Sequence, residues 1–255
     1  MSQEIRDLLK DYDIESVEIA DITYPASFHC DPPHPWRLLV LPGDNIMELM
    51  EETLDEHESL PAFVQHSMEK VSSLSFADSL RHSLEWLFAS NALPAAYPPL
   101  EQLSATQLYE AYRELENTPY LNETPIRSKQ VVPVPDSDWA EARQEDGAFW
   151  LTLPEGSEYK AALIIPMGGY NECPLPVDQA TVFREWQQQY GAIPIAVNDS
   201  TWILQAQHLP RTDGNAIELA RQHVLFCPYV LEGFESIGEY ADYLKQHPIW
   251  YFFWD

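Results

Sequence analysis

The stretch from Leu163 to Gly191 constrains the fold of this chain more than any other part of the sequence. An apolar run at 161–165 stops at Pro166, and a glycine pair and the polar turn 170–174 follow it. A helix is predicted from Pro176, where a missing N–H group costs nothing, to Gly191, which can adopt the left-handed conformation that ends helices. The pattern therefore predicts a strand, a rigid loop and a helix in succession.

Hydrophobic spacing and capping residues predict the other elements. Apolar runs predict strands at 17–19, 37–41, 149–153, 192–197 and 201–206, and an aromatic strand covered on both faces at 249–254. Helical periodicity predicts helices at 4–10, 44–56, 75–90, 104–115, 212–224 and 236–247. Two of these helices are predicted to begin with capping boxes, Ser104 to Gln107 and Ser236 to Glu239.

These elements predict an α+β fold in which a mixed sheet packs with helices. The C-terminal part is predicted as a β-α-β-β-α-α-β unit that ends in a buried aromatic strand, and a mostly helical α/β region precedes it. The segment 117–138 is rich in proline and turn residues, so we place a domain boundary within it, between predicted domains 1–125 and 126–255. Six aromatic residues of the C-terminal part are predicted to form the core: Trp186, Tyr190, Trp202, Trp250, Phe252 and Trp254.

The chain carries a large excess of acidic residues, with 41 Asp and Glu against 14 Lys and Arg and a net charge of −27. Such a field repels nucleic acid and anionic membranes, and it attracts basic proteins. It also keeps a protein soluble, which is the simpler interpretation of the charge alone. The outer carboxylates of the predicted helix 44–56 form a candidate interaction surface, or simply a solvated face: Glu48, Glu51, Glu52, Asp55 and Glu56.

The sequence also predicts where the protein resides. The N-terminal residues lack a basic segment followed by an apolar core, so no secretory signal is predicted. No apolar run is long enough to cross a bilayer. Three cysteines, an odd number, do not form a disulfide framework and suit a reducing compartment. We therefore expect a cytoplasmic protein.

An ordered set of short motifs is similar to a known bacterial family. The set comprises GGYNECP at 168–174, Trp186 to Gly191, Asp199, Thr201, Pro210-Arg211, Ala220-Arg221, Cys227-Pro228 and the ending WYFFWD at 250–255. With these motifs, residues from about 130 to 255 resemble the family of domains of unknown function numbered 4253. Tyr229 stands where an aspartate often follows the Cys-Pro pair, and His223 stands where an aromatic residue is more usual. The resemblance implies a domain and no activity, although some small acidic families of this kind belong to toxin–immunity systems.

The loop after Pro166 contains the best candidates for functional residues, because a rigid scaffold presents them. The candidates are Asn171, Glu172 and Cys173, together with Cys227 and Asp199. Plainer roles are open, since an asparagine can bond its own backbone and free cysteines are usually buried apolar groups. On one helix, His223 could lower the pKa of the Cys227 thiol four residues later. No third, orienting group is evident for such a pair, and the loop lacks the motifs of a phosphate site.

A second cluster of potential ligands lies in the proline-rich segment 27–35. His29, Cys30, Asp31 and His34 could hold a metal ion, but the same residues suit a plain surface loop. Cys173 and Cys227 lack the spacing and the further ligands of a zinc site. We predict no metal and no cofactor.

Two functions from different classes fit these observations. The first is an acidic cytoplasmic interaction protein, specifically the immunity or inhibitor protein of a basic bacterial toxin. The second is an enzyme of unknown reaction with a site at the Gly169–Cys173 loop and Cys227. The uniform charge and the lack of a catalytic constellation favour the first, with neither nucleic acid nor a membrane as a partner. The sequence gives no indication of the oligomeric state.

Overall fold

The structure is a computed structural model that describes residues 16–19, 38–41, 43, 46, 60–129, 149–167 and 172–254. Six strands of these residues form one mixed sheet: β1 (Ser16–Ile19), β2 (Leu38–Val40), β3 (Phe149–Thr152), β4 (Ile193–Val197), β5 (Thr201–Gln205) and β6 (Ile249–Phe253). Their order across the sheet is β1-β3-β2-β4-β5-β6. The predicted α+β class with a mixed sheet is confirmed.

Strand β2 joins the N-terminal part of the chain to the C-terminal part. It pairs antiparallel with β3, where Leu39 lies opposite Trp150, and parallel with β4, where Leu39 lies opposite Ala196. Residues on both sides of the boundary between 125 and 126 therefore share one sheet. The boundary itself stays a prediction from the sequence.

Eight α-helices lie among the described residues: α1 (Leu60–Ser73), α2 (Phe76–His82), α3 (Glu85–Ser90), α4 (Ala105–Glu116), α5 (Ala161–Ile164), α6 (Pro176–Tyr190), α7 (Asp213–Phe226) and α8 (Ile237–Leu244). No helix in this described part of the chain is both long and apolar enough to span a membrane. Helices α6 and α7 supply much of the core that covers one face of the sheet.

The helix ends follow the local signals of the sequence closely. Ser104 forms the predicted capping box at the start of α4, and Gly191 ends α6 in the left-handed conformation with a φ of 61°. The box predicted at Ser236 is only half formed. The Ser236 hydroxyl accepts from the N–H of Glu239, but the Glu239 carboxylate accepts from the N–H of Glu235.

The strand predicted at 161–165 is wrong, because Ala161–Ile164 form the short helix α5. The chain enters this helix from a 3-10 turn at Glu158–Lys160. All four helical residues are fully buried, so no polar face reveals a helical period, and a short apolar run is equally compatible with a buried strand. After β3, the order of elements is therefore α-α-β-β-α-α-β.

The single helix predicted at 75–90 is in fact two helices, α2 and α3. They are separated at Ser83 and Leu84, where the backbone of Leu84 leaves the helical region with a φ of −109° and a ψ of 8°. Leu84 and Leu87 are buried on one side of this bend. Trp86 lies on the other side and is 38% exposed.

The aromatic strand β6 pairs antiparallel with β5 along its whole length. Its residues Trp250 and Phe252 are fully buried, as predicted, whereas Tyr251 and Phe253 are only half-buried. In the described sheet β6 has no second neighbour, so it is an edge strand. The burial of its residues shows that its two faces are not covered equally. A run of aromatic residues does not distinguish a strand covered on both faces from an edge strand, because one buried face is enough to favour aromatic residues.

Some predictions for the N-terminal part lie outside the described residues. These are the helix at 4–10, the loop at 27–35 and most of the helix at 44–56. Within the last of these, Ile46 is described, and it is helical and fully buried.

Trp186 of α6 lies at the centre of the main core. Its ring stacks on Phe252 of β6 with centroids 5.2 Å apart, and it meets Phe226 of α7 edge-on at 5.3 Å. Its indole N–H donates to Gln222 over 3.1 Å, so the ring is buried without an unpaired donor. The predicted aromatic core is confirmed by complete burial of Trp186, Trp202, Trp250, Phe252 and Trp254, with Tyr190 half-buried beside them.

His223 of α7 takes the place of one more ring in this cluster. Its centroid lies 4.6 Å from Trp186, 4.7 Å from Trp250 and 4.9 Å from Phe252. Nδ1 is hydrogen-bonded to the Tyr240 hydroxyl over 2.8 Å, while Nε2 has no partner among the described residues. Complete burial lowers the pKa of His223 well below 6.5, so the imidazole is neutral in the folded protein.

This neutral histidine makes the stability of the fold depend on pH. Below about pH 6.5 the unfolded chain binds a proton at His223 and the folded chain does not, so stability falls as the pH is lowered. Between pH 7.5 and pH 5.5 we expect His223 to account for a loss of about 1.4 kcal/mol in the free energy of unfolding. Urea unfolding at the two pH values, compared between the native protein and His223→Phe, measures this loss. An equal loss in both proteins would contradict the assignment.

Candidate functional site

Gln179 of α6 closes the loop that follows α5. Its amide nitrogen donates to the carbonyl oxygens of Met167 over 2.8 Å and Pro174 over 2.7 Å, on either side of the loop. Its amide oxygen accepts from the indole N–H of Trp202 over 2.7 Å. The side chain is fully buried, where such bonds are strong and costly to lose. Gln179 thus fixes both ends of the loop against α6 and β5.

Glu172 lies in this loop, and its backbone conformation is strained. Its φ of 63° lies in the left-handed region, which costs a non-glycine residue about 1 to 2 kcal/mol. Burial and the charge of Glu116 raise the pKa of the Glu172 carboxyl, and a hydrogen bond from Tyr229 opposes that rise. A strained backbone and a disfavoured charge on one residue are typical of functional sites.

Glu172 lines an open pocket of about 620 Å³ between α4 and the residues that follow α7. A volume of this size is usual for sites that bind small molecules or side chains. Three carboxylates and five aromatic rings dominate the wall: Glu116, Glu172, Glu232, Trp86, Tyr112, Tyr120, Tyr229 and Phe234. We call this site the acidic aromatic pocket.

The acidic aromatic pocket is not neutralised by the described bases. No lysine or arginine is among its described lining residues, and no ion pair in the described part of the chain involves Glu116, Glu172 or Glu232. The bases that do form ion pairs use other carboxylates. Arg113 and Arg221 both bind Glu123, for example.

Cys227 is a fully buried thiol, and Cys173 is a half-buried one. The Cys173 sulfur lies 3.7 Å from the sulfur of Met167, and that of Cys227 lies 3.0 Å from the carbonyl oxygen of Phe253. Burial raises the pKa of Cys173 to about 12 and also raises that of Cys227. Neither thiol is activated, because the charged form is the reactive one. Nδ1 of His223 is bonded to Tyr240 and Nε2 has no partner among the described residues, so His223 forms no hydrogen bond with the Cys227 thiol.

Asp199 lies in the turn between β4 and β5 and holds the start of the segment after β2. Its carboxylate accepts from the backbone N–H groups of Gly43 over 3.1 Å and Ile46 over 3.0 Å. A side chain on Gly43 would overlap this carboxylate, so the close approach requires glycine. The observed contacts of Asp199 are therefore with backbone, and Asp199 is not among the lining residues of the acidic aromatic pocket.

Several predicted site residues lie outside the described residues. They are Asn171 of the loop, the potential ligands His29, Cys30, Asp31 and His34, and the predicted interaction surface of Glu48, Glu51, Glu52, Asp55 and Glu56. Among the described residues, no group of three or more His, Cys, Asp or Glu is arranged to hold a metal ion. Of the predicted loop candidates, Glu172 is bonded to Tyr229, two residues after Cys227, and Cys173 is near enough to contribute to the raised pKa of Cys227.

Sequence reasoning missed most of the acidic aromatic pocket. Tyr112 fell on the inner side of the predicted helix 104–115, and Glu116 and Tyr120 stood beyond that predicted helix without a distinctive pattern. Trp86 did leave a signal, since it lies off the apolar stripe of its helix. Tyr229 was visible only as a departure from the family pattern.

Residues 150–255 match the family described as a domain of unknown function, DUF4253. The predicted resemblance is confirmed, with a start later than the predicted residue 130. No curated protein and no solved structure matches the chain.

The DUF4253 match covers only one side of the acidic aromatic pocket. Glu172, Tyr229 and Glu232 lie within the matched residues, whereas Trp86 and Glu116 lie outside them. The pocket is therefore formed jointly by the DUF4253 part and the preceding residues. The hydroxyl of Tyr229 donates a hydrogen bond to the Glu172 carboxylate.

Replacing Gln179 should destabilise the fold, because the change leaves three buried polar groups without partners. In Gln179→Leu, the Trp202 indole and the carbonyls of Met167 and Pro174 lose their bonds, and we expect a loss of about 3 kcal/mol in the free energy of unfolding. Urea denaturation measures it. The control is Gln189→Leu on the exposed side of the same helix, with a change within about 0.5 kcal/mol. Equal effects of the two substitutions would contradict this role.

The thiols of Cys173 and Cys227 should react slowly in the folded protein. In a Cys30→Ser background, we expect labelling by Ellman's reagent at pH 7.5 to be about a thousandfold slower in the native state than in guanidinium chloride, because raised pKa values suppress the thiolate. Absorbance at the reagent's product band follows the reaction. Rapid labelling of one native thiol would contradict the expectation and would favour the enzyme hypothesis.

Proposed function

We propose that this protein is a non-enzymatic interaction protein that binds a basic partner protein, with the acidic aromatic pocket at the centre of the contact surface. The observation that supports this most is one concave site with three carboxylates, exposed aromatic rings and no described base to neutralise it. Aromatic anchors and charge complementarity are characteristic of specific protein interfaces.

The charge of the whole chain has a separate role in this proposal. A net charge of −27 attracts a basic partner and speeds encounter with it. At physiological salt, charges further apart than about 8 Å are largely screened. The net charge therefore acts mainly as the two surfaces approach each other, and the carboxylates and rings of the pocket determine which partner is held.

The specific form that we propose is a cytoplasmic immunity protein, which neutralises a basic toxin by covering it. The enzyme alternative, with a site at the Gly169–Cys173 loop and Cys227, stays a hypothesis with less support. It requires a nucleophile or base, and the raised pKa values of Cys173 and Cys227 disfavour the reactive thiolate at neutral pH.

The proposal is tested by capturing a partner from the producing cells and rebuilding the complex from purified proteins. We expect a partner with a pI above about 9, whose affinity falls at least tenfold between 50 and 300 mM salt, because the attraction is electrostatic. The double variant Glu116→Gln and Glu232→Gln should weaken binding at least fivefold, as measured by isothermal titration calorimetry. If the partner is a toxin, co-expression of the native protein should restore growth.

The matched control is the double variant Glu69→Gln and Glu101→Gln. It changes the net charge equally at two exposed positions that are not among the lining residues of the pocket. A neutral or acidic partner, an affinity independent of salt, equal effects of the two double variants, or no partner at all would each overturn the proposal.

A further inference from the structure

We infer that the acidic aromatic pocket binds one arginine side chain of the partner, held between the carboxylates of Glu116 and Glu172 and against the exposed ring of Trp86. This inference rests on the proposed function and identifies the chemical group that the pocket recognises. It names a single residue type in place of a general attraction between opposite charges.

Two carboxylates from separate elements line the same pocket. Glu116 is on α4 and Glu172 is in the loop fixed by Gln179, and the charges of both help to raise the pKa of the hydroxyl of Tyr112, which also lines the pocket. The charge of Glu116 also contributes to the raised pKa of Glu172. A cation near both carboxylates offsets this repulsion, so the pocket favours a positively charged occupant.

The wall of the pocket includes exposed aromatic rings. Trp86 is 38% exposed and Tyr120 is 56% exposed, although large aromatic side chains are normally buried in a protein core. Both line the pocket that contains the two carboxylates. Exposed rings beside carboxylates are the elements of cation–π recognition, in which the ring face attracts a cation and the carboxylate bonds it.

The carboxylates and aromatic rings of the pocket favour arginine over lysine. A guanidinium group is planar and weakly hydrated, stacks on aromatic rings and binds carboxylates through paired hydrogen bonds. An ammonium group is compact and strongly hydrated, so it loses more on leaving water for a pocket with a largely aromatic wall. The volume of about 620 Å³ admits the long arginine side chain together with part of the neighbouring backbone.

The test uses the full chain and three peptides that differ in one side chain. Ac-Gly-Arg-Gly-NH2, its lysine analogue and its citrulline analogue are titrated separately into ¹⁵N-labelled protein and followed by NMR. Citrulline has the shape of arginine without its charge. We expect the arginine peptide to shift the Trp86 indole signal and the backbone signals of Glu172 and Glu232. The lysine peptide should bind at least about threefold more weakly, and the citrulline peptide at least about tenfold more weakly.

Substitutions inside and outside the pocket test whether the arginine peptide binds there. Trp86→Ala and Glu172→Gln should each reduce the affinity for the arginine peptide at least about threefold, whereas Glu101→Gln outside the pocket should leave it unchanged. Equal binding of the arginine and citrulline peptides, shifts confined to other surfaces, or no binding at about 10 mM peptide would overturn the inference. These outcomes leave the proposed function to its own assay, because a basic protein can still bind the acidic surface without inserting an arginine here.

Discussion

The packing of Trp186 between α6, α7 and β6 is the interaction on which the rest of the structure depends. Its ring contacts Phe226 and Phe252, and its indole N–H is bonded to Gln222, so one side chain joins two helices to the sheet. Aromatic rings bury large areas and pack with defined geometry, which fixes the position of α6. Because α6 is fixed, Gln179 on the same helix can hold both ends of the loop before it. Glu172, with its strained backbone, lies in the loop that Gln179 closes in this way.

The acidic aromatic pocket exists because two parts of the chain share one core. Residues matching DUF4253 supply Glu172, Tyr229 and Glu232, and residues outside the match supply Trp86 and Glu116. The same union is visible in the sheet, where β2 lies between β3 and β4, and at Asp199, whose carboxylate holds the backbone of Gly43. A function of this chain that uses the pocket therefore depends on residues beyond the family match.

Local signals predicted the fold well wherever chemistry acts over a few residues. The capping box at Ser104 and the left-handed end at Gly191 are short-range features, and both are present. The prediction failed at 161–165, where complete burial removes the polar face that identifies a helix. It failed again at Leu84, where a bend divides one apolar stripe between two helices, since tertiary packing determined the break.

The sequence by itself determined the charge, the aromatic core and the proline-flanked loop, because these depend on composition and on neighbours along the chain. Only the tertiary structure decided that Glu116, Glu172 and Glu232 share one pocket, since they come from separate elements and leave no common local pattern. It also decided that the pKa values of Cys173 and Cys227 are raised and that of His223 is lowered, because burial, and not sequence spacing, sets them.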